Sequence, residues 1–152
     1  MRRFFPASAA LVLAGVALSH AYLVNSSPAE NALLRTPPAE VRLGFTEGVE
    51  LRLSVFKVYA LEAPQNALRD PRRLQELARP LVDRVLPLRD DMSRAERMDV
   101  GLKNQGRTAE NVTISLKPDL KPGAYVVMWR VLSVDTHTTS GFFVFVYQPQ
   151  RG

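Results

Sequence analysis

The chain has 152 residues, 46% of them hydrophobic, which supports one globular domain and argues against disorder. It contains no cysteine, so a disulfide framework, a zinc-thiolate centre and a thiol nucleophile are excluded. The formal charge of +5 falls to +3 if Arg2 and Arg3 leave with a leader, and between Leu61 and Val100 eight basic residues are matched by eight acidic ones, which makes that stretch a mixed solvated surface rather than a phosphate-binding patch.

Residues 1–19 have the layout of a secretory signal: a basic start at Arg2 and Arg3, then an apolar run from Phe4 to Leu18 interrupted by Pro6 and small residues. Ala17 and Ser19 satisfy the small-x-small rule for a cut after Ser19, which makes His20 the first residue of a mature domain spanning 20–152. Ser19 and Ala21 satisfy the same rule for a cut after Ala21, which would discard His20. An uncleaved signal anchor is the third reading. Nothing later in the chain is long and apolar enough to span a bilayer, so the expected product is exported, periplasmic or extracytoplasmic, and has no membrane span after signal removal.

Period-two alternation then recurs along the chain. Val41, Leu43 and Phe45 form one strand set; Leu51, Leu53 and Val55 form the next. The stretch from Glu62 to Arg97 interrupts the pattern. There "DPRRLQELARP" offers a cap at Asp70, a proline at the first helical position and apolar spacing at Leu74 and Leu77, which predicts a helix of about two turns, inserted between strands over about 62–97. Val112, Ile114 and Leu116 resume the strand pattern, followed by Tyr125, Val127, Trp129 and Val131. The run Phe142 to Tyr147 is apolar on both faces and rich in aromatic and β-branched residues, as in a central or terminal strand of a sandwich. With turn signals at "SSPAEN", "RTPPAE", "LKPDLKPG" and "TTSG", the expected fold is all-β: an immunoglobulin-like Greek-key antiparallel β-sandwich of about seven strands with a short helical insertion. "LKPGAY" resembles a tyrosine corner, in which the Tyr125 phenol would hydrogen-bond back to nearby backbone.

The chain has only two histidines. One is His20; the other, His137, stands two residues after Asp135 in "RVLSVDTHTTSG". If the strand from Tyr125 continues this far, Asp135 and His137 project from one face, as a pair of metal ligands or as a hydrogen-bonded structural pair. A free N-terminal His20 offers an amine and a ring nitrogen that can close a chelate, and Asp135 and His137 can supply two further positions. Three nitrogens and one oxygen in a plane suit one Cu(II) ion, which prefers tetragonal geometry; zinc prefers a tetrahedron.

The start "HAYLVNSSPAENA", the segment "VRLGFTEGVE" and the ending "LKPGAYVVMWRVLSVDTHTTSGFFVFVY" together resemble the CopC family of exported copper-binding proteins, over most of the chain outside the 62–97 insertion. The resemblance implies Cu(II) bound by His20, Asp135 and His137. It puts Glu47 of "FTEGVE" where the family has an acidic residue near the metal, as an axial ligand or an outer contact, the alternative being an exposed turn glutamate. Trp129 and Arg130 match the family's Trp-Arg pair, with Trp129 expected in the core near the site. Some members carry a methionine-rich loop for Cu(I). Here only Met92, Met98 and Met128 follow the leader, without clustering, so no dedicated Cu(I) site is expected; Met128 reads as strand packing, and Met92 and Met98 as residues of the polar insertion.

The function implied is copper sequestration, homeostasis or resistance by a monomer that is not an enzyme, with a CopD-type membrane copper transporter as recipient. Two readings compete with it. One is a copper-brace oxidative enzyme of the polysaccharide monooxygenase type, disfavoured if Asp135 fills the position oxygen needs. The other is a metal-free immunoglobulin-like interaction module, since sandwiches host many activities.

Overall fold

A computed structural model describes residues 20–89 and 97–150. Among them eight strands form two four-stranded sheets packed face to face: β1 (Leu23–Ser27), β3 (Glu40–Glu50), β6 (Thr108–Leu116) and β5 (Asp99–Leu102) in one, and β2 (Leu33–Leu34), β8 (Thr138–Tyr147), β7 (Gly123–Leu132) and β4 (Val55–Leu61) in the other. Neighbouring strands are antiparallel, except that β2 runs parallel to β8. This is the sandwich that the alternating pattern predicts. Val41, Leu43 and Phe45 meet Val112, Ile114, Tyr125, Val127, Trp129, Val131, Phe143 and Phe145 in the core between the sheets. The Tyr125 hydroxyl donates to the Lys121 carbonyl, closing the expected tyrosine corner. Burial pushes its phenol pKa above the ordinary value, so the donor proton is retained.

The set Leu51, Leu53, Val55 is not one strand. Leu51–Leu53 forms a single 3-10 turn, with Leu51 8% and Leu53 57% exposed, and β4 starts at Val55. The chain crosses here from one sheet to the other, and a tight turn mimicked the strand period.

The helix, α1 (Pro71–Val85), starts as expected, with the Asp70 carboxylate accepting from the Arg73 N–H at 3.1 Å and proline in the first turn. It does not stop after two turns; it continues through Pro80 for 15 residues. An internal proline costs about 3 kcal/mol in a helix. Packing offsets that cost: Leu74, Ala78, Val82 and Val85 are buried against the outer face of the second sheet, on Tyr59, Val126, Met128, Val144 and Val146. This cover explains why Phe142 to Tyr147 is apolar on both faces. Met128 is a packing residue on the helix side, as its alternation suggested. Met98 is not a residue of a polar loop; it packs against the sandwich core beside β5. Met92 lies outside the described residues.

Lys57 of β4 is 0% exposed, and its ammonium donates to the carbonyls of Val85, at 2.6 Å, and Leu88 at the C-terminal end of α1. A cation there satisfies carbonyls that the helix leaves open and complements its dipole. We expect Lys57→Met to cost about 2 kcal/mol, the range for hydrogen bonds from a charged donor. Chemical denaturation measures this directly; an unchanged midpoint would show that Lys57 does not hold the helix end. Among the described residues no helix is long and apolar enough to cross a membrane.

Candidate metal centre

The site is built at one end of the sandwich, where the start of the described chain meets β3 and the β7–β8 connection. Ala21 is buried in the core between the sheets and anchors the segment. On either side of it, backbone groups are tied down. The Thr46 N–H donates to the Tyr22 carbonyl at 2.9 Å, and the Tyr22 N–H donates to the Thr46 hydroxyl oxygen at 3.0 Å. That hydroxyl in turn donates to the His20 carbonyl at 3.0 Å, while the Thr139 hydroxyl donates to the Ala21 carbonyl at 2.6 Å. His20 is thereby held on β3 and β8 before β1 begins.

Asp135 and His137 do come together, but not by strand alternation. The strand ends at Leu132, and the pair sits in a tight connection in which Thr136 adopts φ 74°, a conformation that a β-branched residue rarely takes. Ser133, 1% exposed, organises this turn. Its hydroxyl donates to Asp135 Oδ1 and accepts from the His137 N–H at 3.2 Å, and its N–H donates to the His137 carbonyl at 2.8 Å. The Val134 N–H donates to the Gly48 carbonyl at 3.0 Å, tying the turn to β3 beside Glu47. The Ser133 hydrogen bond, helped by the His137 imidazole and N–H and partly opposed by desolvation, holds the Asp135 carboxyl below its ordinary pKa.

The two imidazoles meet edge to face with ring centroids 4.4 Å apart. Asp135 Oδ1 lies 3.3 Å from His137 Nδ1, without hydrogen-bond alignment. His20 Nδ1, His137 Nδ1 and Asp135 Oδ2 are buried atoms with no hydrogen-bond partner. Buried polar atoms are normally paired, so three orphans in one cluster call for an explanation, and a bound cation is one. Glu47 is half buried on β3, between the threonine that holds His20 and the glycine that holds Val134. Among the described residues no three His, Asp or Glu side chains already stand at metal-holding geometry. Asp135 Oδ1 is committed to Ser133, and the nitrogen of His20 is an amide while Ser19 is attached. Trp129 is buried in the core, with its ring against Phe45, Phe143 and the backbone of Gly141. Thr46, Thr139 and Ser133 were not picked out from sequence, because threonines in strands and a serine in a turn are ordinary there.

The CopC domain family matches in two overlapping segments, residues 23–84 and 79–148. The chain belongs to the CopC family. The overlap falls inside α1, the part of this CopC protein that departs from the strand pattern. Protein YobA of Escherichia coli strain K12 is 29% identical over 127 residues, 84% of this chain and 77% of its own. Copper transport protein CutJ of Bacillus subtilis strain 168 is 27% identical over 128 residues, which is 84% of this chain but 18% of CutJ. CopC from Methylosinus trichosporium OB3b aligns with a TM-score of 0.58 at 25% identity, over 88% of this chain and 98% of that structure. PcoC, a methionine-rich copper resistance protein from Escherichia coli, aligns with a TM-score of 0.56 over 86% of this chain and all of its own, and at 19% identity it supports the fold.

Proposed function

We propose that this CopC protein is exported, is cleaved after Ser19, and captures one Cu(II) ion as cargo through the amine and ring of His20, the His137 imidazole and Asp135, with Glu47 as an axial or outer contact. On this reading the ion is sequestered outside the cytoplasm and passed to a CopD-type membrane protein. The observation that carries the reading is the trio of buried atoms without a hydrogen-bond partner, His20 Nδ1, His137 Nδ1 and Asp135 Oδ2, around two imidazoles in contact. Nitrogen-rich donors with one carboxylate suit Cu(II) better than harder cations. CutJ and PcoC, which resemble this chain, are described as copper transport and copper resistance proteins. Cleavage completes the donor set by turning the His20 amide nitrogen into an amine. Binding without turnover follows if Asp135 fills the position that oxygen would need; rapid peroxide production by the copper form with ascorbate would instead support the copper-brace enzyme.

The pH dependence tests this ligand set. The depressed Asp135 pKa favours the carboxylate: its stabilising contribution is present above the ordinary carboxylate range and lost only as pH falls through the lower folded value. The remaining proposed donors are nitrogens, which must be deprotonated to bind, so protons compete with the ion for them. We expect copper affinity, measured by chelator competition, to fall steadily from about pH 7 to about pH 5. An affinity that stayed flat over that range would exclude nitrogen ligation.

A further inference from the structure

A chain terminus frays unless something ties it down, and an amine on a frayed end is a poor ligand because each binding event must order it. In this chain the ties are specific. One Thr46 hydroxyl accepts from the Tyr22 N–H at 3.0 Å and donates to the His20 carbonyl at 3.0 Å, bracketing Ala21. Thr139, from the other sheet, takes the Ala21 carbonyl at 2.6 Å. Thr46 is itself exposed, and its side chain contributes nothing to the core. A valine in its place would keep the strand preference and the backbone N–H to the Tyr22 carbonyl, and would lose both hydroxyl contacts.

We propose that Thr46 is a positioning residue for the N-terminal copper ligands, with Thr139 as its counterpart on β8: the hydroxyls fix the His20–Tyr22 backbone so that amine and imidazole are presented together. This rests on the copper reading above. Thr46 touches no ligand atom of the site; it acts through the backbone of His20. Such preorganisation lowers the ordering cost of binding and slows release of the ion.

The test uses the protein recovered after export, with its mass verified to begin at His20, as wild type, Thr46→Val and Thr46→Ser. Cu(II) affinity is measured by chelator competition, and hydrogen exchange at the Tyr22 amide is followed by NMR in the metal-free protein. Losing two ordinary hydrogen bonds is expected to weaken copper binding roughly tenfold in Thr46→Val. The Tyr22 amide should lose protection in the same variant, and the visible absorption of the bound ion should move to longer wavelength as nitrogen ligation weakens. Thr46→Ser, which keeps the hydroxyl, should restore all three, and the metal-free unfolding midpoint should fall by no more than a few degrees in Thr46→Val and stay near wild type in Thr46→Ser. A Thr46→Val protein that lost Tyr22 protection yet bound copper as tightly as wild type would overturn the positioning role. So would a Thr46→Ser protein as weak as Thr46→Val. A wild-type protein that bound no copper would overturn the copper reading itself, and this inference with it.

Discussion

Alanine at His137 is expected to lower Cu(II) affinity by at least about 100-fold, the upper end of what loss of an outer contact costs a metal site, because on the proposed ligand set it removes a ligand rather than its support. The fold should survive. His137 is half buried, and the turn that carries it is held by Ser133 through backbone groups of residue 137, not through its ring. His20→Ala should also weaken binding strongly while retaining the amine, whereas Glu47→Ala should cost less than either. Isothermal titration of the metal-free proteins checks the order. Equal effects of His20→Ala and Glu47→Ala would mean that the ligands are misassigned, and a fully competent His137→Ala protein would remove the β7–β8 turn from the site.

The second large effect concerns stability. Trp129→Ala should cost about 3–5 kcal/mol, as expected for deleting a large aromatic from a packed core. In a domain of this size that lowers the thermal midpoint by about 10–20 °C. The ring fills space that nothing else can: Phe45 and Phe143 pack against it with centroids 6.3 Å and 6.1 Å away. The fit to β8 is tight enough that a Cβ built on Gly141 would stand 2.5 Å from the indole, so Gly141→Ala should be destabilising as well. Differential scanning calorimetry distinguishes the cases. A Trp129→Ala midpoint within a few degrees of wild type would show that the ring is peripheral to the core.

The sandwich was legible because its inner faces obey period two: the alternating apolar sets read on β3, β6 and β7 all lie in the core between the sheets. The pattern misled where another geometry imitates alternation, at Leu51–Leu53, and where local rules were overridden by packing, at Pro80. The helix could not be measured from its own sequence, since the surface it covers is supplied by Tyr59, Val126, Met128, Val144 and Val146 from three strands. At the site, the scarcity of histidine and the Asp-x-His spacing singled out His20, Asp135 and His137 as candidates, and the structure sets His137 against both of the others, but not through the strand continuation that the spacing suggested. A turn with a threonine at positive φ brings the pair together, and the threonine hydroxyls that hold His20 have partners about 24 to 26 residues away for Thr46 and 118 for Thr139, which no local motif announces.

On the proposed reading, processing exposes His20 as part of a chelate for one copper ion. Native mass spectrometry of the protein recovered after export, before and after one equivalent of Cu(II), reads the N-terminus and the stoichiometry in one experiment. The expected result of this reading is a mass beginning at His20 that gains one copper and keeps it against a weak chelator. A mass beginning at Tyr22, or a protein beginning at His20 that retains no copper, would contradict it.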